Sequence, residues 1–282
     1  MPSSPQVTSA EISRREIRVD NRITSVLQAG SGSPILLLHG SGPGVSAASN
    51  WEGVMPALAE RHRVIAFDFT GFGDSEQAEP GEYDIKLWQR QLLGVMDELG
   101  LDCVPMLGNS FGGAMALAAA MRHPERVARL VLMGTPVGDY PLTEGLRRGR
   151  EFDGTREGLR AVLSCFPFDP DEITDELIDR RIGAATRPGA SDALKALVPP
   201  AADEGETIVH GIPERLLAGV KAPTLVLHGR DDHVVPFELG LRLFNGIPDA
   251  EIRGFGRCGH WVQLERRDEF VRECLHFLGR ER

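Results

Sequence analysis

The stretch LGNSFGG, residues 107–113, places one hydroxyl group among three glycines. An apolar run at 104–107 precedes it, and an alanine-rich, helix-like run at 113–123 follows it. A Gly-x-Ser-x-Gly pattern between a strand and a helix predicts a sharp, strained turn that exposes the serine hydroxyl, and side chains in place of its glycines would clash. The alternative is a flexible surface loop. We favour the strained turn because of its flanking strand and helix, which makes Ser110 the predicted nucleophile.

Short apolar segments alternate with helix-like segments along the chain. The apolar segments are residues 35–38, 64–67, 104–107, 130–133 and 224–228, and the helix-like ones include 51–61, 87–99 and 113–123. Apolar strands without polar alternation, separated by helices, indicate a mostly parallel sheet with helices on both faces. A hairpin is predicted before them, with strands at 16–19 and 23–27 around the turn-forming Asp20-Asn21. The predicted fold class is α/β.

The region from about 137 to 206 lacks strand-like segments. It is rich in charge and contains helix-like segments at 155–166, 173–185 and 191–197. We interpret residues 137–208 as a helical lid inserted into one α/β core, which is formed by residues 1–136 and 209–282.

Two further residues complete a predicted catalytic triad, because an acid and then a histidine follow the serine in this type of fold. The strand at 224–228 leads into GRDD, residues 229–232, where Asp232 fits the Gly-x-x-Asp spacing better than the alternative, Asp231. His260 lies in the glycine-containing loop 255–261, FGRCGHW, whereas His276 lies on a helix-like segment. We therefore predict Asp232 and His260. A metal site at 231–233 would lack a second group of ligands.

The loop HGSGPG, residues 39–44, follows the strand at 35–38, where the second donor of an oxyanion hole usually originates. We predict the backbone NH groups of Ser41 and Phe111 as the two donors. The glycines do not form a phosphate-binding loop, because the lysine of the G-x-x-x-x-G-K pattern is missing. The stretch GFGDS at 71–75 lacks the third glycine of a dinucleotide-binding motif and is predicted as a turn.

Acidic residues outnumber basic ones, 41 to 31, so the net charge is -10. This charge disfavours nucleic acid and anionic membranes as partners. The four cysteines are scattered without metal-ligand spacing, which predicts free thiols in a reducing compartment. The first twenty residues lack the apolar segment of a signal peptide, and no apolar run approaches the roughly 18 residues of a membrane span. We expect a cytoplasmic protein.

The motifs HGSGPG, GNSFGG, GRDDHVVP and FGRCGHW occur together in this chain. In this combination it resembles the meta-cleavage product hydrolases, which are carbon–carbon bond hydrolases of the α/β-hydrolase superfamily, in the branch represented by 2-hydroxymuconate semialdehyde hydrolase. Gly-x-Ser-x-Gly marks only the superfamily, whereas SGPG, GNSFGG and CGHW together are far more specific. The resemblance runs from about residue 30 nearly to the end and includes ITDELIDRRIGAATRPG, residues 173–189, in the lid.

The resemblance implies an α/β-hydrolase fold and hydrolysis of 2-hydroxy-6-oxo-hexa-2,4-dienoates to 2-hydroxypenta-2,4-dienoate and a small carboxylic acid. It implies no metal or organic cofactor, a small-molecule dienoate substrate and a homo-oligomer. It also implies substrate contacts from Asn50, Asn109, Arg181 and Trp261, with Arg181 holding the carboxylate through two parallel hydrogen bonds. Without the resemblance, Arg181 is interpreted as a solvated lid charge, the asparagines as turn residues that bond backbone, and Trp261 as core.

Two other functions fit the same motifs. A carboxylesterase would use the same triad on esters, and a ligand receptor would keep the fold without turnover. Residues 145–152, GLRRGREF, stand where the family resemblance predicts an aromatic stretch. The sequence therefore leaves the size of the acyl-side substituent open.

Overall fold

The computed structural model describes residues 11–202 and 205–280. Residues 1–10, part of the stretch from which the absence of a signal peptide was predicted, lie outside the described residues. The strands are β1 (Ser13–Val19), β2 (Arg22–Ala29), β3 (Pro34–Leu38), β4 (Arg63–Phe67), β5 (Val104–Asn109), β6 (Val127–Met133), β7 (Asp139–Pro141), β8 (Ile208–His210), β9 (Thr224–Gly229) and β10 (Ala250–Phe255).

Helices connect most of these strands. The α-helices are α1 (Ala47–Trp51), α2 (Met55–Ala59), α3 (Ile85–Glu98), α4 (Phe111–Arg122), α5 (Glu144–Arg150), α6 (Arg156–Leu163), α7 (Asp175–Ala185), α8 (Asp192–Leu197), α9 (Phe237–Gly246), α10 (Val262–Glu265) and α11 (Arg267–Leu278). Short 3₁₀ segments lie at Pro124–Arg126, Pro170–Glu172 and Glu214–Gly219.

Eight of the strands form one sheet in the order β1-β2-β4-β3-β5-β6-β9-β10. The β1–β2 and β2–β4 pairs are antiparallel, and the remaining pairs are parallel. The predicted α/β class with a mostly parallel sheet is confirmed, as is the opening hairpin.

Apolar side chains cover both faces of this sheet. Along β3, Leu36 and Leu38 pack into the core beneath α3 and α4, whereas Ile35 and Leu37 pack into the core beneath α2 and α11. Successive residues of a strand point to opposite faces, so a strand buried on both sides is apolar throughout. The parallel strands all end at one edge of the sheet, and ligand sites of open α/β sheets lie outside that edge.

The helices α5 to α8 lie between β7 and β8, which pair with each other as a two-stranded antiparallel sheet. The prediction that strands are absent from about 137 to 206 was wrong at Asp139–Pro141. This strand has only three residues, too few for a periodic pattern to reveal. No helix in the described ranges is both long enough and apolar enough to cross a membrane.

The single helix predicted at 51–61 was also wrong. The structure contains two short helices, α1 and α2, joined through Glu52, Gly53 and Val54. Pro56 lies in the first turn of α2, where its missing N–H costs nothing. In a continuous helix the same proline would remove a hydrogen bond and clash with the preceding turn, so the chain begins a new helix.

Candidate active site

The turn between β5 and α4 consists of Ser110 alone. Its dihedral angles are φ 53° and ψ -117°, a region that residues other than glycine rarely adopt. The Ser110 N–H donates to the Met133 carbonyl at 2.7 Å, which ties the turn to β6. A Cβ on Gly112 would overlap the carbonyl oxygens of Leu38 and His39, so the close approach of β3 requires glycine there. The sequence motif therefore folds as a strained turn, in agreement with the prediction.

Asp232 and His260 lie together beyond the ends of β9 and β10. His260 Nδ1 is 2.7 Å from Asp232 Oδ2, and both side chains are buried. The carboxylate only accepts, so Nδ1 carries the hydrogen and Nε2 keeps its lone pair, as the predicted role of general base requires. Burial by itself would raise the pKa of Asp232, but His260 and a second imidazole, His228, hold this pKa well below its usual range.

The alternative acid and histidine lie elsewhere. Asp231 Oδ2 accepts from the Arg257 N–H at 2.8 Å and does not contact His260. His276 is exposed on α11. Among the described residues, no group of three or more His, Cys, Asp or Glu side chains could hold a metal ion, and all four cysteines are free. Of the acids and histidines considered from the sequence for the triad, only Asp232 and His260 form a hydrogen-bonded pair among the described residues.

Ser41 and Phe111, the predicted oxyanion donors, line the same cavity as Ser110. Phe111 is the first residue of α4, so its N–H is one of those that a helix leaves without an internal partner, at the positive end of the helix dipole. Ser41 follows β3, the neighbour of β5 in the sheet. Their roles as oxyanion donors stay predictions.

His39 also belongs to the site, although the sequence did not predict a role for it. Its ring is fully buried, its Nδ1 lies 2.6 Å from the Gly40 carbonyl, and its Nε2 accepts from the Phe69 N–H at 2.9 Å. Burial lowers its pKa, so the ring stays neutral with its hydrogen on Nδ1. His39 thereby fixes the peptide next to Ser41. Its place at the end of β3, one residue before Gly40, was the available signal.

Arg181 projects from helix α7 and is buried, with 4% of its surface exposed. Its guanidinium carbon lies 5.0 Å from the centroid of the Trp261 ring, and its Nε has no hydrogen-bond partner. No acidic side chain in residues 11–202 and 205–280 forms an ion pair with it. Burial, with the neighbouring Arg180, lowers the pKa of Arg181 to about 10. The interpretation of Arg181 as a solvated lid charge was wrong.

Asn50 and Asn109 are buried and contact each other. Asn50 Oδ1 accepts from the Gly40 N–H at 2.7 Å, and Asn50 Nδ2 lies 3.4 Å from Asn109 Oδ1. Asn109 Nδ2 lies 3.5 Å from the His260 carbonyl. The pair thus links the loop after β3, the serine turn and the histidine loop. These contacts fit the interpretation that the asparagines bond backbone, and their contacts to substrate stay predictions.

Comparisons with known proteins agree with this geometry. Residues 33–163 match the family model described as the alpha/beta hydrolase fold. The chain is 41% identical to 2-hydroxy-6-oxo-2,4-heptadienoate hydrolase of Pseudomonas putida, over 92% of this chain and 93% of that protein. It is 40% identical to 2-hydroxymuconate semialdehyde hydrolase of Pseudomonas sp. strain CF600, over 98% and 97%. The chain belongs to the meta-cleavage product hydrolases.

A solved structure supports the same family at the level of the fold. The meta-cleavage product hydrolase CumD of Pseudomonas fluorescens IP01, solved as a mutant complexed with acetates, superposes with a TM-score of 0.85 at 35% identity. The match covers 94% of this chain and 97% of that one. The predicted resemblance is confirmed, and so is the α/β-hydrolase fold. This chain is accordingly an enzyme of the carbon–carbon bond hydrolase family.

A cavity of about 330 Å³ opens beside Ser110 in this meta-cleavage product hydrolase. Its wall includes Ser110 but neither Arg181 nor Trp261, so it lies apart from the buried cation. Aliphatic side chains from the core, the lid and the segment after β8 make up most of the wall, among them Ala114, Met115, Leu146, Leu197, Val198, Val209, Ile212 and Val235. The buried Tyr140 adds a phenol, and burial together with the Asp232 charge raises its pKa well above the usual value.

Phe166, in the segment that follows α6, contacts the histidine loop. Its carbonyl accepts from the His260 N–H at 2.6 Å, its ring stacks on Trp261 at 5.0 Å, and it meets the His260 ring at 5.5 Å. A Cβ on Gly259 would overlap the Phe166 carbonyl oxygen, so glycine permits this approach. Glu265 Oε2 extends the junction by accepting from the N–H groups of Gly259 and Phe168, both at 2.8 Å. No local sequence pattern indicated this contact.

Proposed function

We propose that this enzyme hydrolyses the carbon–carbon bond of 2-hydroxy-6-oxo-hexa-2,4-dienoates, giving 2-hydroxypenta-2,4-dienoate and a carboxylic acid. The observation that carries the proposal is the burial of the Arg181 guanidinium against Trp261, with no acidic partner among the residues that the structure describes. A buried charge is costly unless it is paired, so this position favours an anionic ligand. The names of the relatives, which are dienoate hydrolases, support the same substrate class.

Each catalytic group has a proposed role that follows from its position. His260, oriented by Asp232, moves a proton during conversion of the enol to the ketone, and the ketone can stabilise a carbon leaving group. Ser110, or a water molecule activated by His260, then adds to the 6-oxo carbon, while the Ser41 and Phe111 N–H groups stabilise the oxyanion. Collapse of the adduct breaks the bond between carbons 5 and 6, and its electron pair passes to the 2-oxo oxygen, which takes up a proton to give 2-hydroxypenta-2,4-dienoate. Over the whole reaction one water molecule is consumed, and its oxygen ends in the released acid.

The dienoate end is proposed to lie at Arg181 and Trp261, with Asn50 and Asn109 on its oxygenated side. Arg181 donates two parallel hydrogen bonds to the carboxylate, and Trp261 supports both the guanidinium and the flat diene. The two asparagines hold the loops on which Gly40 and His260 lie. In this arrangement the asparagines set the distance between the oxyanion loop and the base.

The acyl side is proposed to carry an alkyl or aryl group and not only hydrogen. The cavity beside Ser110 is about 330 Å³ and largely aliphatic, and an apolar cavity of roughly 150 Å³ already accommodates benzene. Each buried methylene contributes about 0.8 kcal/mol. We therefore expect 6-alkyl and 6-phenyl dienoates to be better substrates than 2-hydroxymuconate semialdehyde.

A carboxylesterase is the second candidate, because it would use the same Ser110, Asp232 and His260. A neutral ester has no carboxylate for the buried cation to bind, and the apolar cavity alone would be enough to hold its acyl group. The experiment that separates the two compares cleavage of dienoates and of p-nitrophenyl acetate by the purified protein. Rapid loss of the yellow dienoate absorbance supports the proposal, whereas ester cleavage with untouched dienoates contradicts it.

The remaining proposals concern the assembly and its surroundings. We propose a cytoplasmic location, which the free cysteines support. We also propose a homo-oligomer, which the family resemblance supports and light scattering of the purified protein tests. We also propose residues 137–208 as an inserted lid between core segments 1–136 and 209–282, supported by the position of α5 to α8 between β7 and β8. No nucleic acid, membrane or cofactor enters the proposal.

A further inference from the structure

A second histidine contacts the carboxylate that orients His260. His228, at the end of β9, is fully buried, and its Nε2 lies 3.3 Å from Asp232 Oδ2, the oxygen that also accepts from His260 Nδ1 at 2.7 Å. The other oxygen, Oδ1, accepts from the N–H groups of Val234 and Val235, both at 2.8 Å. Four N–H groups therefore converge on one buried carboxylate.

The hydrogen-bond partners of His228 fix its tautomer. Nε2 lies 2.9 Å from the Val235 carbonyl oxygen, which can only accept, so Nε2 carries the hydrogen. That hydrogen is shared between the Val235 carbonyl and Asp232 Oδ2. The other nitrogen, Nδ1, is buried without a hydrogen-bond partner and faces Gly240 of α9 at a distance that leaves no room for a Cβ.

The same contacts close a ring around Val235. Its N–H donates to Asp232 and its carbonyl accepts from His228, so the backbone of one residue connects the two side chains. The Phe237 ring meets the His228 ring edge to face at 5.6 Å and restricts it from the other side. Rotation of the Asp232 carboxylate would disturb its contacts with four residues at once.

We propose that His228 is a positioning residue for the reaction, which holds Asp232 Oδ2 in the direction of His260 through its Nε2–H. The inference rests on the proposed function only in so far as Asp232 and His260 act as the acid and the base. His228 itself does not contact the substrate in this proposal. The predicted consequence of losing Nε2–H is a slower proton transfer by His260, with substrate binding preserved.

Two amide substitutions test the role of the Nε2–H. His228→Gln places an amide nitrogen near the position of Nε2, whereas His228→Asn ends near the position of Nδ1 and cannot reach Asp232. We expect the Gln variant to keep kcat within about fivefold of the wild type and the Asn variant to lose about 10- to 100-fold, the effect of a roughly 1 Å misplacement. KM for a dienoate stays unchanged in both. His276→Asn, on the exposed face of α11, controls for the loss of an imidazole.

A double-mutant cycle distinguishes positioning from a structural role. In an Asp232→Asn background, His228→Asn should lower single-turnover rates by less than about twofold, because residues that act through one another are not additive. Melting temperatures of all variants are recorded in parallel. A purely structural histidine would lower the rate by the same factor in both backgrounds.

The outcomes separate the inference from the proposed function. Equal rates for His228→Gln and His228→Asn, or full additivity with Asp232→Asn, would overturn the role of His228. If the wild type cleaves p-nitrophenyl acetate but no dienoate, the proposed substrate is wrong. The same variants are then compared on the ester, where the pattern expected for His228 is unchanged.

Discussion

The guanidinium of Arg181 lies 5.0 Å from the Trp261 ring centroid, with both side chains buried between the lid and the histidine loop. The face of the Trp261 ring stabilises the Arg181 cation and leaves the N–H groups of the guanidinium free to donate to a carboxylate. The free donors are therefore available to an anionic ligand. In the proposed function, this pairing is the feature that separates a dienoate site from a general ester site on the same fold.

Replacing the serine should abolish turnover but not binding. We expect Ser110→Ala to lower kcat by on the order of 10⁴-fold, since the nucleophile acts as one unit with its base. Arg181 and the oxyanion donors remain, so the variant still shifts the absorbance of a bound dienoate. Stopped-flow spectroscopy measures both quantities. Turnover close to that of the wild type would remove Ser110 from the mechanism.

Removing the buried cation should affect one substrate class. Arg181→Met keeps an unbranched side chain but removes the guanidinium, and with it two charge-assisted hydrogen bonds worth about 1.5–3 kcal/mol each, so we expect kcat/KM for dienoates to fall at least 100-fold. Hydrolysis of p-nitrophenyl acetate should change by only a few fold. Arg180→Met, at the exposed neighbouring position, is the matched control. Equal losses on both substrates would mean that Arg181 acts through folding of the lid.

The pH dependence follows from the same residue. Burial lowers the pKa of Arg181 to about 10, so its charged form is present below that pH and is lost above it. The free enzyme should therefore show a fall in kcat/KM for dienoates as the pH rises through about 10. A bound carboxylate holds the proton on Arg181, so kcat changes less. This alkaline fall in kcat/KM should be missing in Arg181→Met. If it persists in that variant, it arises from the titration of another group.

The acyl cavity predicts a change in substrate preference. Ala114 lines the cavity from α4, and Ala114→Leu fills part of it. We expect kcat/KM for a 6-phenyl dienoate to fall at least about tenfold, because pocket size discriminates by 1–3 kcal/mol per methylene-sized change. Cleavage of 2-hydroxymuconate semialdehyde, which needs no such space, serves as the internal control. A uniform loss across substituents would place the acyl group elsewhere.

Two glycine substitutions should affect stability in opposite directions. Gly259→Ala introduces an overlap with the Phe166 carbonyl, so we expect lower thermal stability and lower activity. Gly183→Ala lies in α7, where an added Cβ meets nothing within 4 Å. There we expect a gain of about 0.4–1 kcal/mol, because alanine has less backbone freedom to lose. Calorimetry measures both, and an unaffected Gly259→Ala would show that the junction can relax.

Much of the fold and the triad could be predicted because the relevant patterns are local. The serine turn, Asp232 and His260 each lie in a short loop at the end of a strand, and the mostly parallel sheet follows from the alternation of apolar strands with helices. The helix break at Pro56 was also a local signal, although it was not used for the prediction. β7 has three residues, and β10 mixes exposed and half-buried positions, so neither has a clear pattern.

Other features depend on contacts between distant segments. The sequence around Arg181 is charged and gives no sign that α7 buries this residue against Trp261, 80 positions away. His39 and His228 end apolar strands and resemble ordinary core residues until their ring nitrogens are placed. The size of the acyl cavity arises from the core, the lid and the segment after β8 together, so no single stretch could indicate it.

The bond between the His260 N–H and the Phe166 carbonyl has a consequence for protein engineering. A chimaera that takes residues 137–208, the proposed lid, from a relative would also replace the residue whose carbonyl accepts from the His260 N–H. The imported residue at position 166 would have to place its backbone carbonyl where Phe166 has it, against Gly259 and the His260 N–H. Otherwise the His260 imidazole would be displaced. Redesign of substrate range is safer at Leu146 and Leu197, where exchange reshapes the cavity by side chains alone.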